Sequence, residues 1–260
     1  MGGLKPALLF GESALFAAFG AGLRIAAADR TQLLASRRTL VLAPHPDDES
    51  LGCGAIIRRL RDAGVAVRIV IATDGAQSHH SATFAQARLV ALRRQEALDA
   101  CAKLGVDAQQ VIFLDLPDTG LAANTAALSE RVLAQITEFQ PEQVLYPSAI
   151  DSHPDHQALA SVLEGLKGQS RLTCPVYGYP VWFWKLSTWK RPLRALRALA
   201  GVRLVKASTT GMLDHKRSAI AAHRSQFENL LDEPDWSFLP ETFTRHFLTS
   251  FELFFEMKSQ

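Results

Sequence analysis

The chain has 260 residues, 48% hydrophobic and 21% charged, with a formal net charge of +2 at pH 7. That length and balance fit one large α/β domain with a sizeable core, and they exclude a disordered chain. A charge this small gives no case for nucleic acid as a partner. Three unevenly spaced cysteines, Cys53, Cys101 and Cys174, exclude a disulfide framework or a cysteine zinc cage and point to a reducing compartment.

Residues 6–23 are almost all apolar, interrupted by Glu12 and followed by Arg24. With only Lys5 as a positive flank, this stretch reads poorly as a signal peptide. It predicts a packed or membrane-resting helix within an apolar N-terminal extension over residues 1–38. From residue 39 short apolar runs alternate with longer helical patterns, the signature of βαβ units. Strands are expected at 39–43, 65–73, 111–114, 143–146 and 176–179, and helices at 51–63, 84–104, 126–139 and 154–166. Gly64 and Gly105 stop the first two helices, and β-branched residues mark the second strand. The expected fold is an α/β domain spanning residues 1–260, with a Rossmann-like parallel sheet and helices on both faces. Beyond residue 181 the alternation fades.

Unusual polar residues fall just past the carboxyl ends of these strands: 45–49 after the first, Asp74 after the second, Asp118 after the third and 153–156 after the fourth. In open parallel sheets that edge carries the ligand crevice, so the active site is expected there. The turn Ala43-Pro44-His45-Pro46-Asp47-Asp48-Glu49 holds one imidazole and three carboxylates, and His153-Pro154-Asp155-His156 opens a later helix. Together they contain the ligand types of a catalytic zinc site, with carboxylates to spare for a general base. A prolyl turn with a capping Asp explains either motif taken singly; both at one sheet edge favour metal. Spacing alone does not choose between His153 and His156 as ligand.

APHPDDES and the later SHPDHQA resemble the LmbE-like or PIG-L family of zinc de-N-acetylases. Thr73-Asp74-Gly75, Arg93 three residues before Glu96, Pro117-Asp118-x-Gly120 and KRSAIAAHRSQ at 216–226 are similar to that family's pattern as well. The resemblance implies a hydrolase that removes an N-acetyl group from a small-molecule or lipid-linked amino-sugar conjugate of GlcNAc type. It implies one Zn2+ held by His45, Asp48 and His156. Asp47 would be the general base on metal-activated water, His153 the oxyanion stabiliser or acid, and Asp155 the carboxylate that orients His153. Arg93 would reach substrate groups, the plain alternative being a helix-surface cation paired with Glu96 or Asp99. Asp118 would bind sugar hydroxyls or shape its own turn. Asp74 is assigned to a turn, His79 and His80 to a solvated loop, and His223 to a structural role. Asp151 stands where relatives acting on inositol-linked thiol precursors carry tyrosine, which weakens that substrate.

Rival chemistries lack their motifs. Gly52-Cys53-Gly54 is followed by Ile57 where a dinucleotide loop needs glycine, and neither G-x-x-x-x-G-K-[ST] nor G-x-S-x-G occurs. Between Glu164 and Asp214 there is no acidic residue, whereas Lys185, Lys190, Arg191, Arg194, Arg197, Arg203 and Lys206 are interleaved with Trp182, Phe183, Trp184 and Trp189. This pattern predicts peripheral membrane contact through residues 182–206, or else a solvated basic face with tryptophans in the core. The expected compartment is the cytoplasm, with membrane association under the first reading.

Overall fold

The computed structural model describes residues 18–79, 84–184, 199–230 and 239–257. Its strands are β1 (Ala28–Asp29), β2 (Thr39–Ala43), β3 (Val67–Thr73), β4 (Val111–Leu116), β5 (Gln143–Pro147), β6 (Val176–Tyr179), β7 (Val202–Ser208) and β8 (Phe251–Met257). They form one eight-stranded sheet in the order β1-β7-β8-β6-β5-β2-β3-β4. The strands β2 to β6 pair in parallel, as the βαβ alternation requires. β8 is antiparallel to both β6 and β7, while β1 joins β7 in parallel. The sheet is therefore mostly parallel, as expected, with the antiparallel β8 added to it. An antiparallel strand needs no helical crossover, so β8 leaves no alternation to detect.

Among the described residues five longer helices pack on the sheet: α1 (Asp48–Asp62), α2 (Gln86–Lys103), α3 (Thr125–Phe139), α4 (Pro154–Gly168) and α5 (Leu213–Ala222). β2 is buried at every position, so it reads as a continuous apolar run rather than an alternating one. Val41 and Ala43 face a core shared with Leu51, Ile56 and Leu60 of α1 and Ala97 of α2. Leu40 and Leu42 face the opposite core, where α3 presents Leu128, Val132 and Ile136 at helical spacing beside Leu159 and Leu163 of α4. Helices thus cover both faces.

α1 breaks at Cys53 (φ −144°, ψ 22°). The amides of Ala55 and Ile56, freed by the break, donate to the Glu252 carboxylate at 2.7 and 2.9 Å, and Lys216 Nζ lies 2.7 Å from Glu252 Oε1. A carboxylate at those amides satisfies the donors and complements the local helix dipole. At Gly52 an added Cβ would lie 2.1 Å from the Tyr179 ring, so glycine lets α1 press against β6. The Gly-Cys-Gly segment serves packing.

The start of the described chain is woven into the domain. Residues 18–26 are helical, Phe19 stacks on Phe183 at 6.2 Å, and Leu34 is buried. Most of the expected 6–23 helix lies outside the described residues. Among the described residues no helix is long and apolar enough to cross a membrane. Phe183 and Trp184 are 0% and 4% exposed and belong to the core, and Trp182 packs partly against it. These three rings are turned inward, so they form no membrane belt. Trp189, Lys185, Lys190, Arg191, Arg194 and Arg197 lie outside the described residues. Arg203 pairs with Glu256 at 3.2 Å.

Candidate active site

β2 and β5 are neighbours, and from them the sheet grows in opposite directions, towards β4 and towards β6. At such a switch point the crevice opens beyond the carboxyl ends of the strands. The turn after β2 delivers His45, Asp47 and Asp48, and the loop after β5 delivers Asp151, His153 and, in the first turn of α4, His156.

Asp48 Oδ2 lies 3.2 Å from His45 Nδ1 and 3.2 Å from His156 Nε2. A tetrahedral zinc ion with bonds of about 2.0 Å holds its ligand atoms about 3.3 Å apart, so these two spacings suit a divalent ion. Among the described residues the groups whose ligand atoms all lie within 4.8 Å of one another are His45, His153 and His156, and His45, Asp118 and Asp155. His156 Nε2 is buried and makes no hydrogen bond among the described residues, as suits a nitrogen aimed at a metal. The charge balance agrees. Burial opposes protonation of His156, yet Asp48 and Asp151 hold its pKa up to about 9. Burial likewise opposes charge on His45, but Asp118, Asp155 and Asp48 keep it well above the ordinary range. Asp48 is lowered, against burial, by His156 and His45. Protons thus compensate the carboxylates where a cation would otherwise do so.

The remaining ring nitrogens are held by carboxylates, as is usual for metal-binding imidazoles. His156 Nδ1 lies 3.0 Å from Asp151 Oδ2, and His45 Nε2 lies 3.2 Å from both Asp155 Oδ2 and Asp118 Oδ1. Here Asp155 departs from expectation. Its carboxylate accepts from the Thr119 and Leu121 amides at 2.8 and 3.1 Å and faces His45, not His153. What reaches His153 is the Asp155 backbone amide, which donates to Nδ1 at 3.2 Å. The physical reason is capping: His153 is the N-cap of α4, and its side chain folds back over the first-turn amides. Asp118 also accepts from Gln77 N at 2.9 Å, and its own amide donates to Asp74 Oδ1 at 3.2 Å. Asp74 shapes its turn by also accepting from Ala76 N at 3.0 Å.

Asp47 sits beside the three donors with φ 149° and ψ −26°, a backbone region that residues with a Cβ rarely adopt. Glu49 Oε2 accepts from Asp47 N at 3.1 Å. Arg93 donates to Gly75 O at 2.9 Å and Pro46 O at 2.8 Å, and it approaches Asp47 Oδ2 at 3.4 Å. Arg93 is 2% exposed, so it is not a surface cation paired with Glu96 or Asp99. Glu96 accepts instead from Ser225 N and Oγ at 2.7 and 2.6 Å. A Cβ on Gly75 (φ +67°) would lie 2.7 Å from Arg93 Nη1, so this contact requires glycine. Burial pushes the Asp47 carboxyl up to about 7, with Arg93 pulling down and Asp48 pushing up. A base titrating near neutrality suits proton abstraction.

His153 accepts at Nδ1, which places its proton on Nε2. Burial, then His45 and His156, lower its pKa to about 4, so the ring is neutral at pH 7. It meets His45 edge-on at 4.7 Å and stacks on Trp182 at 5.7 Å, and Trp182 stacks on Phe243 at 5.5 Å. Asp47, Arg93, Asp118 and His153 line a cavity of about 270 Å³ with Trp182 and Phe243.

Comparison with known proteins places this geometry. A family model described as GlcNAc-PI de-N-acetylase, PIG-L, matches residues 40–165. A Bacillus cereus protein named probable N-acetyl-alpha-D-glucosaminyl L-malate deacetylase 2 is 31% identical over 203 residues, covering 76% of this chain and 87% of that one. The chain belongs to the PIG-L family. The diacetylchitobiose deacetylase of Thermococcus kodakarensis is 30% identical over 124 residues, which cover 46% of this chain and 45% of the relative. The solved N,N'-diacetylchitobiose deacetylase from Pyrococcus horikoshii shares the fold, with a TM-score of 0.59 at 24% identity, covering 75% of this chain and 72% of that one. The segment matched by the PIG-L model runs from β2 into α4 and so carries both histidine motifs.

Three features of this PIG-L chain escaped the sequence reading. Asp151 is 0% exposed and accepts from the amides of Val181, Trp182 and Phe183 at 3.0, 3.1 and 2.9 Å while holding His156. One carboxylate therefore fixes the His156 ring and the strap that carries Trp182. Glu49 bridges Asp47 to the buried His223, whose Nε2 lies 3.2 Å from Glu49 Oε1. The Trp182 and Phe243 wall joins residues distant in sequence. His79 is buried beside Ser78 Oγ at 2.8 Å, contrary to the solvated expectation, and His80 lies outside the described residues.

Proposed function

We propose that this protein is a zinc-dependent N-deacetylase that converts a small GlcNAc-type amino-sugar conjugate to the free amine and acetate. The observation that carries this reading is the meeting, at one sheet edge, of three metal donors, a buried carboxyl with a near-neutral pKa and a neutral imidazole. The names of the PIG-L relatives, deacetylases of GlcNAc-malate and of diacetylchitobiose, support the substrate class. His45, Asp48 and His156 would hold a zinc ion, which would supply Lewis acidity to the reaction. Asp47, steadied by Arg93 and Glu49, takes a proton from water as the water oxygen bonds to the carbonyl carbon. His153 donates from Nε2 to the carbonyl oxygen, where negative charge develops. As the C–N bond breaks, the proton on Asp47 passes to the departing amine and acetate leaves. Asp155 and Asp118 keep His45 aligned, and Asp118 and Arg93 border the space for sugar hydroxyls. Trp182 and Phe243 offer apolar faces to the sugar ring.

Acetate release from N-acetylglucosaminyl malate, diacetylchitobiose and related N-acetylated sugars tests this reading on zinc-loaded protein. Turnover that requires zinc and stops on chelation is expected. Stoichiometric zinc without acetate from any N-acetylated amino sugar overturns it.

A further inference from the structure

A second cavity shares no lining residue with the catalytic one. It encloses about 440 Å³ between the helix at residues 18–26, β7 and residues 245–251. Arg24, Lys206, Arg245 and His246 line it with Ser250, and no carboxylate is among its lining residues within the described part of the chain. Arg24 and Lys206 are held by neutral partners, and Arg245 stands exposed at the rim. Arg24 donates from Nε to Phe251 O at 3.2 Å and from Nη2 to His246 O at 2.8 Å, and its guanidinium lies 5.2 Å from the Trp184 ring. Lys206 Nζ donates one of its protons to Arg24 O at 2.8 Å and lies 4.7 Å from the Phe251 ring. Asp29 feels Lys206 only as its smallest influence, and its Oδ1 accepts from Thr31 N and Oγ1 at 2.9 and 2.6 Å.

His246 registers the field in this cavity. It is buried, stacks on Trp184 at 5.2 Å with 3° between the planes, and has its pKa lowered to about 4 by burial, then by Arg245 and Arg24. Like charges converging on a concave wall repel one another, and an oxyanion accepting their hydrogen bonds relieves that repulsion. The volume exceeds that of an oxyanion alone. Ala21, Phe251 and Ile25, which is 82% exposed, supply apolar lining for the remainder. We propose that this cavity binds a small soluble phosphate monoester with an apolar substituent, with Arg24, Lys206 and Arg245 as donors.

Calorimetric titration of phenyl phosphate into the zinc-loaded protein tests the proposal. Saturable binding is expected, weaker by roughly tenfold or more in Lys206→Met/Arg245→Ala, since each charge-assisted hydrogen bond contributes that much. Asp48→Asn, which disables the metal centre, is expected to leave this binding unchanged, and saturation should raise the His246 pKa followed by NMR. If the double variant unfolds, Arg245→Ala alone, at an exposed position, carries the comparison. Absence of saturable binding overturns the proposal. So does binding that vanishes in Asp48→Asn but persists in the arginine and lysine variants, because the anion would then sit at the metal centre.

Discussion

At Asp47 a strained backbone, burial and two opposed charges act on one carboxyl group. Asp47→Asn preserves the shape but cannot accept a proton, so the variant is expected to keep its zinc and lose about a hundred- to ten-thousand-fold in turnover. Zinc content and acetate release, measured together, check this; a near-normal rate would move the base to another group such as Glu49. Asp151→Asn replaces the carboxylate opposite His156 Nδ1. Zinc affinity should fall by about ten- to a hundredfold, the usual cost of losing a carboxylate partner of a metal-binding imidazole. Competition with a chelator reads this, and an unchanged affinity would remove Asp151 from the metal centre. The metal-free protein also carries a pH signature. His156, at about 9 when folded and about 6.5 when unfolded, stabilises the fold fully below pH 6.5 and loses that contribution as pH rises through 9. Zinc must displace the same proton, so its affinity rises with pH across that interval. Calorimetry in buffers of different ionisation enthalpy should record proton release at pH 7.5, and zero release contradicts the assignment.

Among the elements, α1 depends on residues distant in sequence. Its break at Cys53 leaves amides that Glu252 of β8 satisfies, and Lys216 of α5 neutralises Glu252, with both side chains 1% exposed. Removing one partner of such a buried pair leaves the other charge without compensation. Lys216→Met is therefore expected to cost about 3–5 kcal/mol in urea unfolding, and Lys216→Met/Glu252→Gln less than the sum of the single changes. Additive losses would mean that the two residues act separately. The segment 216–226 works from behind the site: Lys216 neutralises Glu252, which holds α1, while His223 and Ser225 meet Glu49 and Glu96.

Across the whole molecule, the described chain is tied together at both ends, β1 pairing with β7 and β8 lying between β6 and β7. We propose that it unfolds as one unit. The three proposed metal donors come from the β2 turn and the start of α4, so a zinc ion held by them would clasp two βαβ halves of the sheet. Calorimetry should show a single transition that zinc raises and chelation lowers; at a hundredfold excess over its dissociation constant the ion adds about 2.7 kcal/mol. Two transitions would refute the single unit.

Local signals made much of this protein legible. Periodicity and stop residues are properties of neighbouring residues, so the first strand at 39–43 and the fifth at 176–179 coincide with β2 and β6, and the helices lie within a few residues of their expected ends. Motif position after each strand located the sheet edge, and the family pattern named His45, Asp48 and His156, whose donor atoms meet there. Tertiary structure alone decided where the side chains point. Asp155 turns to His45, 110 residues away, Asp151 gathers amides 30 to 32 residues away, and Arg93 enters the turn beneath Asp47. No spacing rule encodes such partners, because a carboxylate or guanidinium reads the same in sequence whether it meets water or a buried donor. Phe183 and Trp184 look alike as belt or core until β8 and the residue 18–26 helix close over them, and burial then selects the core, while Trp182 faces the catalytic cavity.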